Sequence, residues 1–273
     1  MNNIKKMKLY FDAYRIFRDL KALGYSEDDK LNVEDVNQFD QLHYHGTLSV
    51  QEAIETINIE KNDNVLEVGA GWGGPSRYIA YKTRAYVSAL ELQKDYSEVG
   101  QELTLRTGLE DLVKHINQDF LNFPQKESCF NKIVSWLALY HIPDRKKYTD
   151  KMFNLLNKNG MLFIEDLTFG ESFENSHRSI LEEKLFANSL EKYSDYLDIC
   201  ANVGFQIVEH TEMSSDWESF TNERLKVLQA NRKEHEKIHG VEGYMTIEDF
   251  YTTVAECFAK KTIGGIRLIC KKH

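Results

Sequence analysis

Val65-Leu-Glu-Val-Gly-Ala-Gly-Trp-Gly-Gly74 is an apolar run that ends in four glycines, Gly69, Gly71, Gly73 and Gly74. A short apolar run closed by glycine reads as a buried strand over 64–68. The following stretch, 73–81, reads as a helix with Pro75 tolerated in its first turn. Glycine permits the tight turn between them and lets backbone approach a ligand without a β-carbon in the way. A second apolar run at 85–90 completes a strand-helix-strand unit.

Outward from this unit the alternation continues: a helix over 95–107, strands at 113–117 and 132–137, a helix over 146–156 and a strand at 161–165. Crossovers of this length between apolar strands imply a parallel α/β sheet covered by helices on both faces. Upstream, the spacing of Tyr10, Phe11, Tyr14, Ile16, Phe17 and Leu20 predicts a helix over 10–20, and another is expected over 49–57. Downstream, a helical stretch at 180–203 precedes a strand at 205–209. Helices over 217–237 and 247–259 then lead to a last strand at 266–270, read as antiparallel. The expected organisation is a single domain: an N-terminal helical cap and lid (1–60), a cofactor-binding core (61–166), and acceptor-side helices with closing strands (167–273).

The composition narrows the partners. The chain has 34 Lys and Arg against 43 Asp and Glu over 273 residues, a net charge of −9 that repels a phosphate backbone, so no nucleic acid is expected. No apolar run approaches the roughly 20 residues that span a bilayer. The start lacks the apolar core of a secretory signal, and a cytoplasmic protein without a membrane span is expected. Cys129, Cys200, Cys257 and Cys270 show no metal-ligand rhythm and read as reduced thiols. Nothing in the sequence sets an oligomeric state.

Taken alone, Gly69, Gly71 and Gly74 also satisfy the GxGxxG of dinucleotide-binding enzymes. Three acids separate the cofactors. Glu67, two positions before Gly69, directs an acid at the cofactor's polar end, where S-adenosylmethionine carries an ammonium and a nicotinamide dinucleotide a repelled pyrophosphate. Glu91 ends the second strand 22 residues after Gly69, the distance at which an acid accepts from ribose hydroxyls. Asp119-Phe120 follows the third strand, where a carboxylate can accept from an adenine amino group and a ring can pack on the base. Asp119 reads equally as a helix cap, and Phe120 as core. The set favours S-adenosylmethionine, with an oxidoreductase or a noncatalytic cofactor-binding protein as alternatives.

Further segments carry a resemblance. Gln118-Asp-Phe120, Ile133-Val-Ser-Trp-Leu-Ala-Leu-Tyr-His141, Leu156-Asn-Lys-Asn-Gly-Met-Leu-Phe-Ile-Glu-Asp166, Lys192-Tyr-Ser-Asp-Tyr-Leu-Asp-Ile-Cys-Ala-Asn-Val-Gly-Phe205 and Ser214-Ser-Asp-Trp217 resemble class I methyltransferases. More narrowly they resemble the sarcosine/dimethylglycine and phosphoethanolamine N-methyltransferase group, with some similarity to sterol C-methyltransferases. The resemblance implies a Rossmann-like class I methyltransferase sheet and transfer of a methyl group to a small-molecule acceptor, an amine nitrogen first and carbon or oxygen second. It places Glu67, Gly69, Ala70 and Gly71 at the methionine end of the cofactor. Glu91 goes to the ribose, Leu92 and Gln93 to the adenosine flank, Gln118, Asp119 and Phe120 to adenine, and Ser135, Trp136 and Leu137 beneath the sulfonium.

The group usually carries an Asp four residues before the motif histidine, where this chain has Leu137 before His141. A bulkier or less polar acceptor is therefore expected. His141 is a candidate acceptor contact or base, or else a packed loop residue. Asp40-Gln-Leu-His-Tyr-His-Gly46 resembles the group's N-terminal lid, with Tyr44 and His45 at the methionine end or the acceptor. His43 and His45 form an HxH without further evident ligands, so no metal is expected. Glu165 and Asp166, read at the end of the fifth strand, are candidates to line the acceptor pocket and attract a cationic amine, or equally to cap the following segment or face water; Glu165 and Tyr44 are also candidate bases. Arg145-Lys-Lys147 and the stretch 226–239 read as solvated helix faces.

Overall fold

Seven strands carry the fold among the described residues, 12–124 and 128–273 of the computed structural model. They are β1 (Asn64–Val68), β2 (Tyr86–Glu91), β3 (Val113–Asn117), β4 (Phe130–Trp136), β5 (Leu156–Phe169), β6 (Gln206–Glu212) and β7 (Ile263–Lys271). The sheet order is β3-β2-β1-β4-β5-β7-β6. β1 to β5 pair in parallel, and β7 runs antiparallel to both β5 and β6. The expected mixed sheet with an antiparallel final strand is therefore present.

Ten α-helices surround it among the described residues: α1 (Arg15–Ala22), α2 (Val33–Val36), α3 (Thr47–Thr56), α4 (Gly74–Thr83), α5 (Lys94–Arg106), α6 (Arg145–Leu155), α7 (Arg178–Lys184), α8 (Tyr193–Val203), α9 (Ser214–Ala230) and α10 (Arg232–Ala259). Tyr10 and Phe11 of the expected first helix lie outside the described residues. The predicted stretch 180–203 is broken into α7 and α8, and α10 is kinked at Gly240, where φ is 78°. α8 stops at Gly204, whose φ of 112° suits a left-handed C-cap that releases the chain into β6.

Side chains alternate between the two faces of a strand, and each face has its own core. Val65, Val134, Phe163 and Ile269 pack with Val50, Ala53 and Ile79 of α3 and α4. Leu66, Ile133, Leu162 and Leu268 pack with Tyr148 and Met152 of α6 and Tyr196 and Cys200 of α8. A third cluster stands beyond the carboxyl ends of the strands, where Tyr44, Tyr140, Leu167, Leu185, Trp217, Val254 and Phe258 meet. It joins Tyr44, in the segment before α3, to α7, α9 and α10.

Two expectations about polar residues change. Arg145, read as solvated, is 3% exposed and pairs with Asp166 at 3.0 Å. His239, in the stretch read as an outer helix face, meets Asp19 at 2.7 Å and ties α10 to α1.

Candidate active site

A cavity of 410 Å³ opens at the carboxyl ends of β1, β2 and β4, where open α/β sheets bind their ligands. The glycine turn forms one wall. Gly69 has a φ of 78°, and a β-carbon there would stand 2.2 Å from that of Ala138. Gly71, with a φ of 53°, faces Leu42, whose Cδ1 would lie 3.1 Å from an added β-carbon. The turn is held by the backbone of β2, since the Gly69 and Ala70 N–H groups both donate to the Leu90 carbonyl at 2.9 Å.

Two buried carboxylates flank this turn. Glu91 accepts from the Gly71 N–H at 2.8 Å and from the Gln93 N–H at 2.7 Å. A carboxylate has about four lone-pair positions, so these two bonds leave capacity for a ligand's hydroxyls. Glu67 accepts from the Ser76 hydroxyl. Burial pushes the Glu67 carboxyl up to about 8, and it also raises Glu91 above the usual carboxylate range. Asp119 caps the turn Phe120–Asn122 through the Leu121 N–H at 2.9 Å, as its reading as a cap expects, and it also lines the cavity.

Of the expected cofactor positions, Glu67, Gly69, Ala70, Gly71, Glu91, Leu92, Gln93, Gln118, Asp119, Phe120, Trp136 and Leu137 line this one cavity. Ser135 does not, because its hydroxyl donates to the Val68 carbonyl at 2.8 Å inside the sheet. Leu137 leaves β4 with a φ of 49°, a left-handed conformation that costs a branched side chain energy and here marks the strand's exit into the site.

The acceptor candidates divide. Tyr44 and His141 line the cavity. His141 Nδ1 lies 3.0 Å from the Phe186 carbonyl, which can only accept, so Nδ1 carries the proton and Nε2 is the ring's acceptor. Burial lowers its pKa to about 4, and the ring is neutral at physiological pH. His45 turns outward to Asp216 at 2.6 Å, whereas His43 bonds the Gly46 carbonyl at 3.0 Å, so the two rings of the HxH are committed to separate partners.

Glu165 and Asp166 are absent from the cavity lining, a correction to the expected acceptor contacts. β5 runs on to Phe169, so both residues are mid-strand and point to opposite faces of the sheet. Glu165 accepts from Ser49 at 2.8 Å and from Arg267 at 2.6 Å. Asp166 accepts from Arg145, from the Tyr196 hydroxyl at 3.1 Å and from the Tyr140 N–H at 3.1 Å. The last bond makes Asp166 a support for the turn that carries His141. Leu167, the next residue of β5, lines the cavity instead, together with Tyr140, Leu185, Arg224, Phe250 and Val254. Arg224, Phe250 and Val254 come from distant helices and carry no local signal.

The sheet order, the glycine turn and the carboxylates on β1 and β2 define the class I, S-adenosylmethionine-dependent methyltransferases. Within that class the chain belongs to the mycolic acid cyclopropane synthetase family, whose model matches residues 35–267. It is 26% identical over 183 residues to methyltransferase GfsG of Streptomyces halstedii, an alignment covering 66% of each chain. It is 24% identical over 186 residues to the glycine/sarcosine/dimethylglycine N-methyltransferase of Actinopolyspora halophila, covering 68% of this chain and 33% of that protein. The alignments thus span less than two thirds of these relatives' length. The fold is also that of phosphoethanolamine N-methyltransferase 2 of Haemonchus contortus in complex with S-adenosyl-L-methionine, with a TM-score of 0.80 and 15% identity over 96% of this chain and 57% of that one.

Proposed function

We propose that this chain transfers the methyl group of S-adenosylmethionine to a small-molecule acceptor. The observation that carries the reading is the pair of buried carboxylates, Glu67 and Glu91, on either side of a glycine turn that a β-carbon would fill. When bound, the cofactor supplies an electrophilic methyl group on a sulfonium. Glu67 holds the ammonium of its methionine end, Glu91 accepts from the ribose hydroxyls, and Asp119 and Phe120 bind adenine. Gly69, Ala70 and Gly71 offer backbone rather than bulk along the same wall.

For in-line displacement the protein has chiefly to aim the acceptor's lone pair and exclude water. His141 is suited to aiming, since its neutral ring presents an acceptor nitrogen, and its lowered pKa makes it a weak proton store. Tyr44 closes the wall from the lid, packed edge-on against Trp217 with ring centroids 5.1 Å apart. An amine nitrogen, as in the relative's glycine and sarcosine substrates, is the first acceptor. Carbon or oxygen is the second, favoured by the apolar lining of Leu167, Leu185, Phe250 and Val254. The division of the chain into lid, cofactor core and acceptor-side helices belongs to the same proposal. So does a cytosolic setting, which the four free cysteines support.

The test is incubation with methyl-labelled S-adenosylmethionine and a panel of glycine derivatives, ethanolamines, sterols and phenols, read by mass spectrometry. A labelled product that disappears in Glu91→Ala is expected. Cofactor binding with no product from any acceptor would favour the noncatalytic reading.

A further inference from the structure

Two imidazoles line the cavity, each with one nitrogen committed and one bare. His43 sits in the segment before α3, its ring 5.5 Å from that of Trp136 at the end of β4. His141 stands on the turn Leu139–His141 that follows the same strand. In each ring one nitrogen lies 3.0 Å from a main-chain carbonyl, Nε2 of His43 from Gly46 and Nδ1 of His141 from Phe186. A carbonyl can only accept, so those nitrogens carry the protons, and His43 Nδ1 and His141 Nε2 hold lone pairs. Among the described residues no protein group donates to either lone pair. Neither nitrogen is sealed inside the protein, and the space that both residues face is the cavity. Burial pushes both rings down to about 4, so at physiological pH they remain neutral hydrogen-bond acceptors.

We propose that His43 is a specificity-determining residue of the acceptor site: its Nδ1 receives a hydrogen bond from a hydroxyl or N–H of the methyl acceptor, while His141 Nε2 receives a second from the group to be methylated. The acceptor is thus a molecule with two hydrogen-bond donors set in an apolar frame. This rests on the methyltransferase reading and names the substrate class of its acceptor site. A ligand that displaces water from a lone pair without supplying a donor leaves that nitrogen unsatisfied and loses affinity. A wholly hydrocarbon acceptor would do so at both rings, and a carboxylate would set its own lone pairs against theirs. A site built to hydrogen-bond a hydroxyl rejects the analogue lacking it far more strongly than an apolar wall rejects an extra methylene. Leu137, Leu167, Leu185 and Val254 supply the apolar frame.

The test uses catechol, resorcinol and hydroquinone, which set two hydroxyls at three spacings on one apolar ring, each against its monomethyl ether. All six are titrated by ligand-observed NMR into the full chain saturated with S-adenosylhomocysteine. At least one diol is expected to bind tenfold or more tightly than its ether. His43→Phe is expected to equalise the two while its affinity for S-adenosylhomocysteine stays within twofold, which also shows that the variant folds. His43→Gln, whose amide can still donate to the Gly46 carbonyl but which has no acceptor at the Nδ1 position, is expected to equalise them as well. The inference is overturned if no diol is preferred over its ether, or if the preference survives in His43→Phe. It is overturned equally if the preference is lost in His43→Phe but kept in His43→Gln, since the ring then serves only to hold Gly46, or if both variants lose more than twofold in affinity for S-adenosylhomocysteine, since His43 then serves the cofactor. Each of these results leaves the cofactor site standing. Failure of S-adenosylhomocysteine to bind the unaltered chain would overturn both readings.

Discussion

Glu67 gives the residue scale its sharpest prediction. With its carboxyl pushed up to about 8 by burial, it is largely protonated at pH 7 in the free chain, and an ammonium brought beside it favours the ionised form. Binding of S-adenosylhomocysteine at pH 7 is therefore expected to expel close to one proton, seen by calorimetry in buffers of different ionisation enthalpy, and Glu67→Gln should remove that release. The same shift has a sign for stability: between about pH 4.5 and 8 the folded chain keeps a proton that the unfolded chain loses, so this residue's contribution falls as pH rises. His141 behaves oppositely. A ring lowered to about 4 does not titrate between pH 5 and 8, so the methyl-transfer rate should show no step near 6.5 from this group. His141→Ala should slow transfer by about ten- to a hundredfold with little change in cofactor affinity, as expected of an aiming group. A wild-type step near 6.5 that vanishes in His141→Ala would count against the neutral ring. The cavity residues around the glycine turn were legible because they sit at or near strand ends with a glycine or acid spacing. Glu165 and Asp166 were misread because strand length, and with it which residue reaches the edge, is set by pairing with β7 and is not written locally.

At the scale of elements, Asp166 shows how a residue outside the cavity shapes it. Its carboxylate receives Arg145 from α6, Tyr196 from α8 and the N–H of Tyr140 from the turn Leu139–His141. Three separate pieces of chain thus converge on one strand residue. Asp166→Ala would leave the Arg145 cation buried and unpaired, a change that costs about 3–5 kcal/mol. Asp166→Asn keeps an acceptor for the Tyr140 N–H and should cost less. Chemical denaturation is the measurement; near-equal stability of the alanine variant and the wild type would show that the turn is held by packing alone. The alternation of strands and helices was readable because parallel strands buried on both faces are nearly continuous apolar runs. The break between α7 and α8 was not, since the intervening segment 185–192 is held by long-range contacts such as the Ser189 carbonyl with Arg145 and the Asn188 N–H with Tyr140.

Across the whole molecule, the cavity draws residues from the segment 40–44 (Asp40, Leu42, His43, Tyr44), the glycine turn and strand ends, the C-cap of α7 (Leu185), and α9 and α10 (Arg224, Phe250, Val254). A ligand that fills it contacts elements far apart in the chain, so it should stabilise them together. S-adenosylhomocysteine at a hundred times its dissociation constant contributes about 2.7 kcal/mol to the folded state by mass action. For a chain of this size each kcal/mol raises the melting temperature by about 2–4 °C, so a rise of about 5–10 °C is expected by scanning calorimetry. The shift should come as one transition, because the third packed cluster joins Tyr44 of the lid directly to Trp217 of α9 and Phe258 of α10. Two transitions, with only one moved by the ligand, would mean that α9 and α10 unfold independently of the sheet around the glycine turn. Tyr44→Ala is the informative variant. It removes the ring between Trp217, Phe220 and Arg224 while leaving Glu67, Glu91 and the glycine turn in place. If the lid couples the two halves, this variant should still bind the ligand yet separate the single transition into two, with the ligand moving only the upper one.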